Sequence, residues 1–353
     1  MKKSLAPFLE TMKNSPEKIR FLCRADAYPE IGTGDLLSLI YLTELLEDFC
    51  EPFFLTRDTE SARRVLQSRA KRARFFNPDF SLGQELEIIS QTCRSERTQI
   101  LFMEITHRPL EDYQPLPDYV MKACVNFDGK VPHDYHFILD WSIDASLRLR
   151  PDNFPGSTLI TGPEYVLLDP RVGNLPVRNP DADKVLISMG GADEFDLTNQ
   201  ILTILAEQNP TFLKDLTIQV IAGPGYRQHT KLQSMAESLN CGVEIHDNIS
   251  FLPDLFSDAH VVISAGGLTA SELAATQTPN ILISTYDHQV ARCRYFHEKG
   301  WSYYLGHKCI PRQEFLRILK DPHRPSNPLR SKTSELVDQL KSTWRDHEKH
   351  RTN

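Results

Sequence analysis

Val261-Val262-Ile263-Ser264-Ala265-Gly266-Gly267-Leu268-Thr269, with Glu272 close behind, is the stretch on which the reading of this chain turns. An apolar, β-branched run ends in two glycines and passes into a helix-forming segment, the pattern of a buried parallel strand turning into a helix. The same order occurs earlier, in Val185-Leu186-Ile187-Ser188-Met189-Gly190-Gly191-Ala192-Asp193 followed by Leu197-Thr198. Glycine lets the backbone approach a bulky anion, and the free amides of a helix N-terminus favour negative charge there. Either turn alone reads as an ordinary strand-to-helix turn. The pair, with Glu272 one helical turn in, points to a diphosphate held at the carboxyl edge of a parallel sheet.

Working outward, apolar strand-like runs alternate with helix-period segments along nearly the whole chain, the signature of parallel α/β architecture. Strands are expected over 19–23, 52–56, 100–105, 123–127 and 136–139, with helices over 36–49 and 59–74 between them. The second half repeats the scheme, with strands over 184–189, 217–222, 243–246, 261–264 and 281–284 and helices over 197–208, 229–239, 268–275 and 290–299. A Pro/Gly/Asn-rich stretch from Asp169 to Asp181 reads as a linker. The division is therefore an N-terminal Rossmann-like domain over 1–168, a linker over 169–182, a C-terminal Rossmann-like domain over 183–329 and a terminal helix over 330–353. That helix carries Leu336, Val337, Leu340 and Trp344 on one stripe.

Composition narrows the class. A length of 353 residues suits two domains, and 40% hydrophobic with 25% charged residues describes an ordinary globular protein. A net charge of −7 argues against a nucleic-acid partner. No apolar stretch approaches a membrane span, and Met1-Lys2-Lys3 runs into Pro7 and Glu10 rather than a signal-peptide core, so a cytoplasmic protein is expected. The seven cysteines are odd in number, scattered and never in a Cys-x-x-Cys pair, which fits reduced thiols and not a disulfide or zinc framework. Seven basic residues between Arg57 and Arg74 leave two readings, docking on an anionic membrane surface or a solvated helix face; they make no single stripe, so the second is preferred.

Ser264-Ala265-Gly266-Gly267-Leu268-Thr269-Ala270-Ser271-Glu272-Leu273-Ala274, followed by Thr278-Pro279, resembles the nucleotide-sugar signature of GT-B proteins such as the peptidoglycan N-acetylglucosaminyltransferase. With Gly32-Thr33-Gly34-Asp35, Gly162-Pro163-Glu164-Tyr165-Val166-Leu167-Leu168 and Asp287-His288-Gln289 in that order, the chain resembles the UDP-sugar hydrolases of the pseudaminic acid pathway and their spore-coat polysaccharide relatives, over roughly residues 19 to 305. The resemblance implies a GT-B fold, two Rossmann-like domains facing across a cleft with the C-terminal helix crossing back onto the first domain, and a UDP-sugar substrate without a metal or other cofactor. It implies that Ser264 to Thr269 cradle the diphosphate, that Glu272 binds the ribose hydroxyls, that Gly190 and Gly191 lie against the diphosphate or sugar, and that Asp287, His288 and Gln289 reach sugar hydroxyls. A first-turn glutamate complementing its helix dipole is the alternative for Glu272.

The N-terminal loop, 32–38, is where activity is decided. The hydrolase pattern has histidine where this chain has Asp35, and arginine where it has Ser38. Two roles stand for Asp35. A carboxylate can act as general base in inverting glycoside chemistry, and a neighbouring diphosphate raises its proton affinity. Asp is also a favoured helix N-cap. Glu104, Thr106 and His107 end a strand pointing toward the same cleft, and His133-Asp134-Tyr135-His136 has metal-like spacing without a third ligand nearby. Three functions follow: hydrolysis of a UDP-amino sugar for nonulosonic acid or surface polysaccharide synthesis, preferred here; glycosyl transfer on the same scaffold; or nucleotide-sugar binding without catalysis.

Overall fold

The computed structural model describes residues 17–28, 32–175, 179, 181–208, 216–223, 225–239, 241–247, 249 and 251–352. Two fully parallel sheets carry it. The first has seven strands, β1 (Ile19–Ala25), β2 (Cys50–Arg57), β3 (Ala73–Phe76), β4 (Ile100–Glu104), β5 (Met121–Val125), β6 (Phe137–Asp140) and β7 (Thr158–Thr161), in spatial order 3-2-1-4-5-6-7. The second has six, β8 (Lys184–Ser188), β9 (Thr217–Ala222), β10 (Gly242–Asp247), β11 (Ala259–Ala265), β12 (Asn280–Ser284) and β13 (Tyr303–His307), in order 10-9-8-11-12-13. Strand order reverses beside β1 and β4 in one sheet and beside β8 and β11 in the other. Ligands of open α/β sheets bind at such switch points, outside the carboxyl ends of the strands. This is the GT-B plan of two Rossmann-like domains.

The helices are α1 (Gly34–Leu45), α2 (Glu60–Ser68), α3 (Leu82–Ser95), α4 (Ala145–Arg148), α5 (Leu197–Ala206), α6 (His229–Ser238), α7 (Leu268–Thr276), α8 (Asp287–Glu298), α9 (Arg312–Lys320) and α10 (Thr333–Thr352). β4 and β12 are buried along their whole length, and β11 at every residue but His260, which is why they read as nearly continuous apolar runs. The terminal helix does cross back: Leu336, Leu340 and Trp344 are buried in the cluster that holds Phe137, Leu139 and Ile160 of the first sheet. Polar bonds fix its register, Tyr165 Oη donating to Glu335 at 2.8 Å and the Thr158 and Thr343 hydroxyls pairing at 2.7 Å.

The expected helix over 59–74 is corrected. Thr59 caps α2, its hydroxyl accepting from Ala62 N at 3.1 Å, but the helix stops at Ser68. Ala70 takes a positive φ of 49°, and residues 73–76 join the sheet as β3 so that Phe76 is buried. The basic residues of this segment are not a bare face either. Arg63 pairs with Asp58, Arg64 with Glu60, Arg69 and Lys71 with Glu44, and Arg72 with Glu51 and Glu96. Arg57 is buried with Glu85 and Asp26. Neutralised charge of this kind leaves little field for a membrane surface. No described helix is long and apolar enough to cross a membrane. Part of the expected linker, residues 176–178 and 180, lies outside the described residues.

Candidate functional site

The carboxyl-end loops of both sheets meet in one cleft of ≈ 300 Å³. The approach is close: a Cβ on Gly191 would stand 3.3 Å from Gly32 Cα across the domain boundary, tight for a side chain, and one on Gly34 would stand in ordinary contact, 3.8 Å from Leu268 Cδ1. Gly32, Thr33 and Gly34 line the cleft on one side; Gly190, Gly191, Ser264, Ala265, Gly267, Leu268, Thr269, Glu272 and Gln289 line it on the other. Twelve positions named from the sequence thus come together, out of a chain that separates them by up to 257 residues (289 − 32).

Within the Gly266-Gly267 pair the two glycines differ. A Cβ on Gly266 would lie 2.4 Å from Cys293 Sγ, so this glycine lets α8 pack under the loop and does not face the cleft. Gly267 has nothing within 4 Å of its Cβ position and opens α7 toward the cleft. Glu272 is 6% exposed, and its carboxyl makes no hydrogen bond among the described residues. Burial, with the charge of Asp169 adding, pushes its pKa up to about 7. A buried carboxyl without a donor is costly on its own and suits a ligand that brings hydroxyl donors.

Asp287 and His288 are not among the residues that line the cleft, although neighbouring Tyr286 is; helix α8 begins at Asp287 rather than Val290. Asp287 is 95% exposed and pairs with His307 at 3.1 Å; the His288 ring stacks on Tyr286 with centroids 5.7 Å apart. Gln289 does reach the cleft, while its Oε1 accepts from Thr285 N at 2.9 Å and Thr285 Oγ1 at 3.0 Å, holding the turn into α8.

On the facing domain the helix-cap reading of Asp35 does not hold. The cap position is Thr33, and the Asp35 carboxyl accepts instead from Thr106 Oγ1 at 2.6 Å. Burial pushes the Asp35 pKa up to about 7, against the Thr106 bond and with help from the charge of Asp26. Ser38, in the arginine position, contacts both the Asp35 backbone carbonyl (2.9 Å) and Glu104 Oε2. The hydroxyl has one proton to donate, to the Glu104 carboxyl or to the carbonyl. Burial, with the Asp35 charge adding and the Ser38 bond opposing, holds Glu104 well above the usual carboxylate range. Asp35 is then the carboxyl of this pair that ionises near neutrality.

His107 faces Asp26 at 3.9 Å and not Asp35. His133 and His136 go separate ways, His133 against Phe154 and His136 Nδ1 accepting from Lys122 N at 3.2 Å. One contributor was overlooked in the sequence. A Cβ on Gly223 would fall 2.2 Å from Gly190 O, and Gly225 N donates to Gly191 O at 2.7 Å, so the turn after β9 is seated on the Gly190-Gly191 turn. The run Gly223-Pro224-Gly225 was the available signal.

Residues 185–346 match the glycosyltransferase family 28 C-terminal domain. The spore coat polysaccharide biosynthesis protein SpsG of Bacillus subtilis is 22% identical over 288 residues, 80% of this chain and 82% of that protein. Two solved structures share the fold. The MurG of Acinetobacter baumannii superposes with a TM-score of 0.55 at 12% identity, covering 92% of this chain and 99% of its own. The UDP-GlcNAc 2-epimerase of Neisseria meningitidis, solved with UDP-GlcNAc, superposes at 0.59 and 10% identity, covering 92% and 100%. These matches support a place in the GT-B, glycosyltransferase-like superfamily. They bear on the superfamily and not on one activity within it.

Proposed function

We propose that this chain transfers a glycosyl group from a UDP-sugar to a hydroxyl acceptor in the synthesis of a polysaccharide or cell-wall glycan. The observation that carries the reading is the Glu272 carboxyl, without a hydrogen-bond partner among the described residues, on the cleft wall opposite the Gly32-Thr33-Gly34 loop. Asp35, with a pKa of about 7, follows that loop in the first turn of α1, though it is not itself among the lining residues. The diphosphate would sit on the amides of Gly267, Leu268 and Thr269 at the start of α7, with the ribose hydroxyls on Glu272. Asp35 takes the proton of the acceptor hydroxyl as its oxygen bonds to the anomeric carbon. The anomeric C–O bond breaks with its electron pair leaving on the diphosphate, and configuration inverts.

Water in place of the acceptor gives the hydrolase reading, which the 162–168 run favours as a resemblance. In the fold that run lies off the cleft: Tyr165 bonds Glu335, and Lys332 N donates to Glu164 O at 2.7 Å. There it anchors the start of α10. Incubation with a panel of UDP-sugars decides. UDP release that needs an added glycan or lipid acceptor supports transfer; release with free sugar and no acceptor establishes hydrolysis. Failure to bind any UDP-sugar, or full UDP affinity in Glu272→Ala by calorimetry, overturns the nucleotide site.

A further inference from the structure

Among the described residues that line the cleft there is no lysine, arginine or histidine, while Asp193, Glu194 and Glu272 put three carboxyl groups on its wall. Asp193 is spent on the fold, accepting from Leu197 N and Thr198 N at 2.9 Å each. A nucleoside diphosphate would bring further negative charge to this wall. The start of α7 offers it roughly half a positive charge from the helix dipole, too little for a diphosphate.

One full cation stands beside the same loop. Arg292 Nη1 donates to the carbonyl of Gly266 at 3.4 Å, a long bond, and the residues on both sides of Gly266 line the cleft. Gln289, one turn earlier on α8, lines it too. Arg292 has only partial solvent exposure, yet it makes no ion pair among the described residues. Three other enclosed arginines hold carboxylates: Arg24 and Arg57 share Glu85, and Arg69 holds Glu44 and Asp169. Asp140, across the domain boundary, reaches Arg292 only through its field, being bonded to Ser142 and Arg148. The Arg292 charge in turn adds to burial in lowering the proton affinity of His288, so its positive field extends over the start of α8. A secluded guanidinium without a counter-charge is costly, and most of its five donors remain uncommitted.

We propose that Arg292 is the counter-charge for the nucleotide's diphosphate, set behind the Gly266-Gly267 turn to hold the donor and to stabilise the charge left when the sugar departs. The inference rests on the nucleotide-sugar reading of the cleft. It assigns to α8 a function that the Asp287-His288-Gln289 run did not reveal.

Calorimetry on the full chain tests it with UDP, uridine and inorganic pyrophosphate against the wild type, Arg292→Gln and Arg292→Lys. Loss of a charge-assisted contact predicts UDP binding about 10- to 100-fold weaker in Arg292→Gln, partly restored in Arg292→Lys, with uridine binding unchanged. UDP affinity within about twofold of wild type in a Gln variant that melts normally overturns the proposal. So does an equal loss for uridine, which would mean a collapsed site. If wild type binds no UDP, the nucleotide reading fails separately, and the pyrophosphate arm still decides for Arg292: binding lost in Arg292→Gln supports it, and no wild-type binding overturns it.

Discussion

Asp35 sits in the first turn of α1 with its carboxyl on the Thr106 hydroxyl, and its proton affinity has consequences that two assays can separate. As a base it must be ionised, so turnover is expected to fall as pH drops through about 7. Asp35→Asn should lower kcat by about 10²- to 10⁴-fold with UDP affinity unchanged. Full activity in that variant would leave Asp35 without a chemical role. Stability runs the other way. The folded pKa lies above the ordinary 3.8, so the folded state holds a proton that the unfolded state has lost between pH 3.8 and about 7, and stability from this group declines as pH rises across that window. Asp35→Asn should therefore raise Tm at pH 8 and do little at pH 4, which differential scanning calorimetry at the two pH values would show.

The glycine turns act as packed elements and not as isolated hinges. Gly223 has backbone oxygens 2.2 and 2.5 Å from its Cβ position, so Gly223→Ala must displace the Gly190-Gly191 turn. Overpacking against backbone predicts a loss of about 1–3 kcal/mol in urea unfolding, together with weaker nucleotide binding. An unchanged midpoint would show that the two turns yield freely. Much at this scale was legible: the runs ending in Gly190-Gly191 and Gly266-Gly267 were read as strand-to-helix turns at a sheet edge, and that is what they are. The start of α8 was misread by three residues because Asp287, His288 and Gln289 break the apolar period of the helix they begin. β3 was absorbed into a helix because Arg69, Lys71 and Arg72 continue a helix-compatible pattern past the positive φ at Ala70.

At the level of the whole molecule, α10 joins the end of the chain to the domain in which the chain began. Trp344 is 5% exposed in the cluster it shares with the first sheet, and Arg351 Nη1 donates to Tyr119 O at 2.9 Å. Trp344→Ala is expected to cost about 3–5 kcal/mol by denaturant unfolding. A loss below about 1 kcal/mol would mean that the first domain folds without the helix. Because Lys332 and Glu335 meet the 164–165 stretch next to the linker, α10 also bears on how the two domains are held together.

The sequence by itself determined the alternation of strand and helix, the two glycine-paired switch-point turns and the apolar stripe of the terminal helix, because each is written in local periodicity and in residues with unusual backbone freedom; the return of that helix was expected only from the GT-B resemblance. Only the tertiary structure decided which of these residues face the cleft. Gly266 turned inward against Cys293 while Gly267 faced open space, a difference no spacing could reveal. It also decided the charges. Arg24 within β1 meets Glu85 of α3, the basic run after Arg57 finds carboxylates on six separate elements or loops, and Asp35, Glu104 and Glu272 acquire their proton affinities from burial. Desolvation and ion pairing depend on which distant segments fold over a residue, and that is settled by packing across the two sheets and not along the chain.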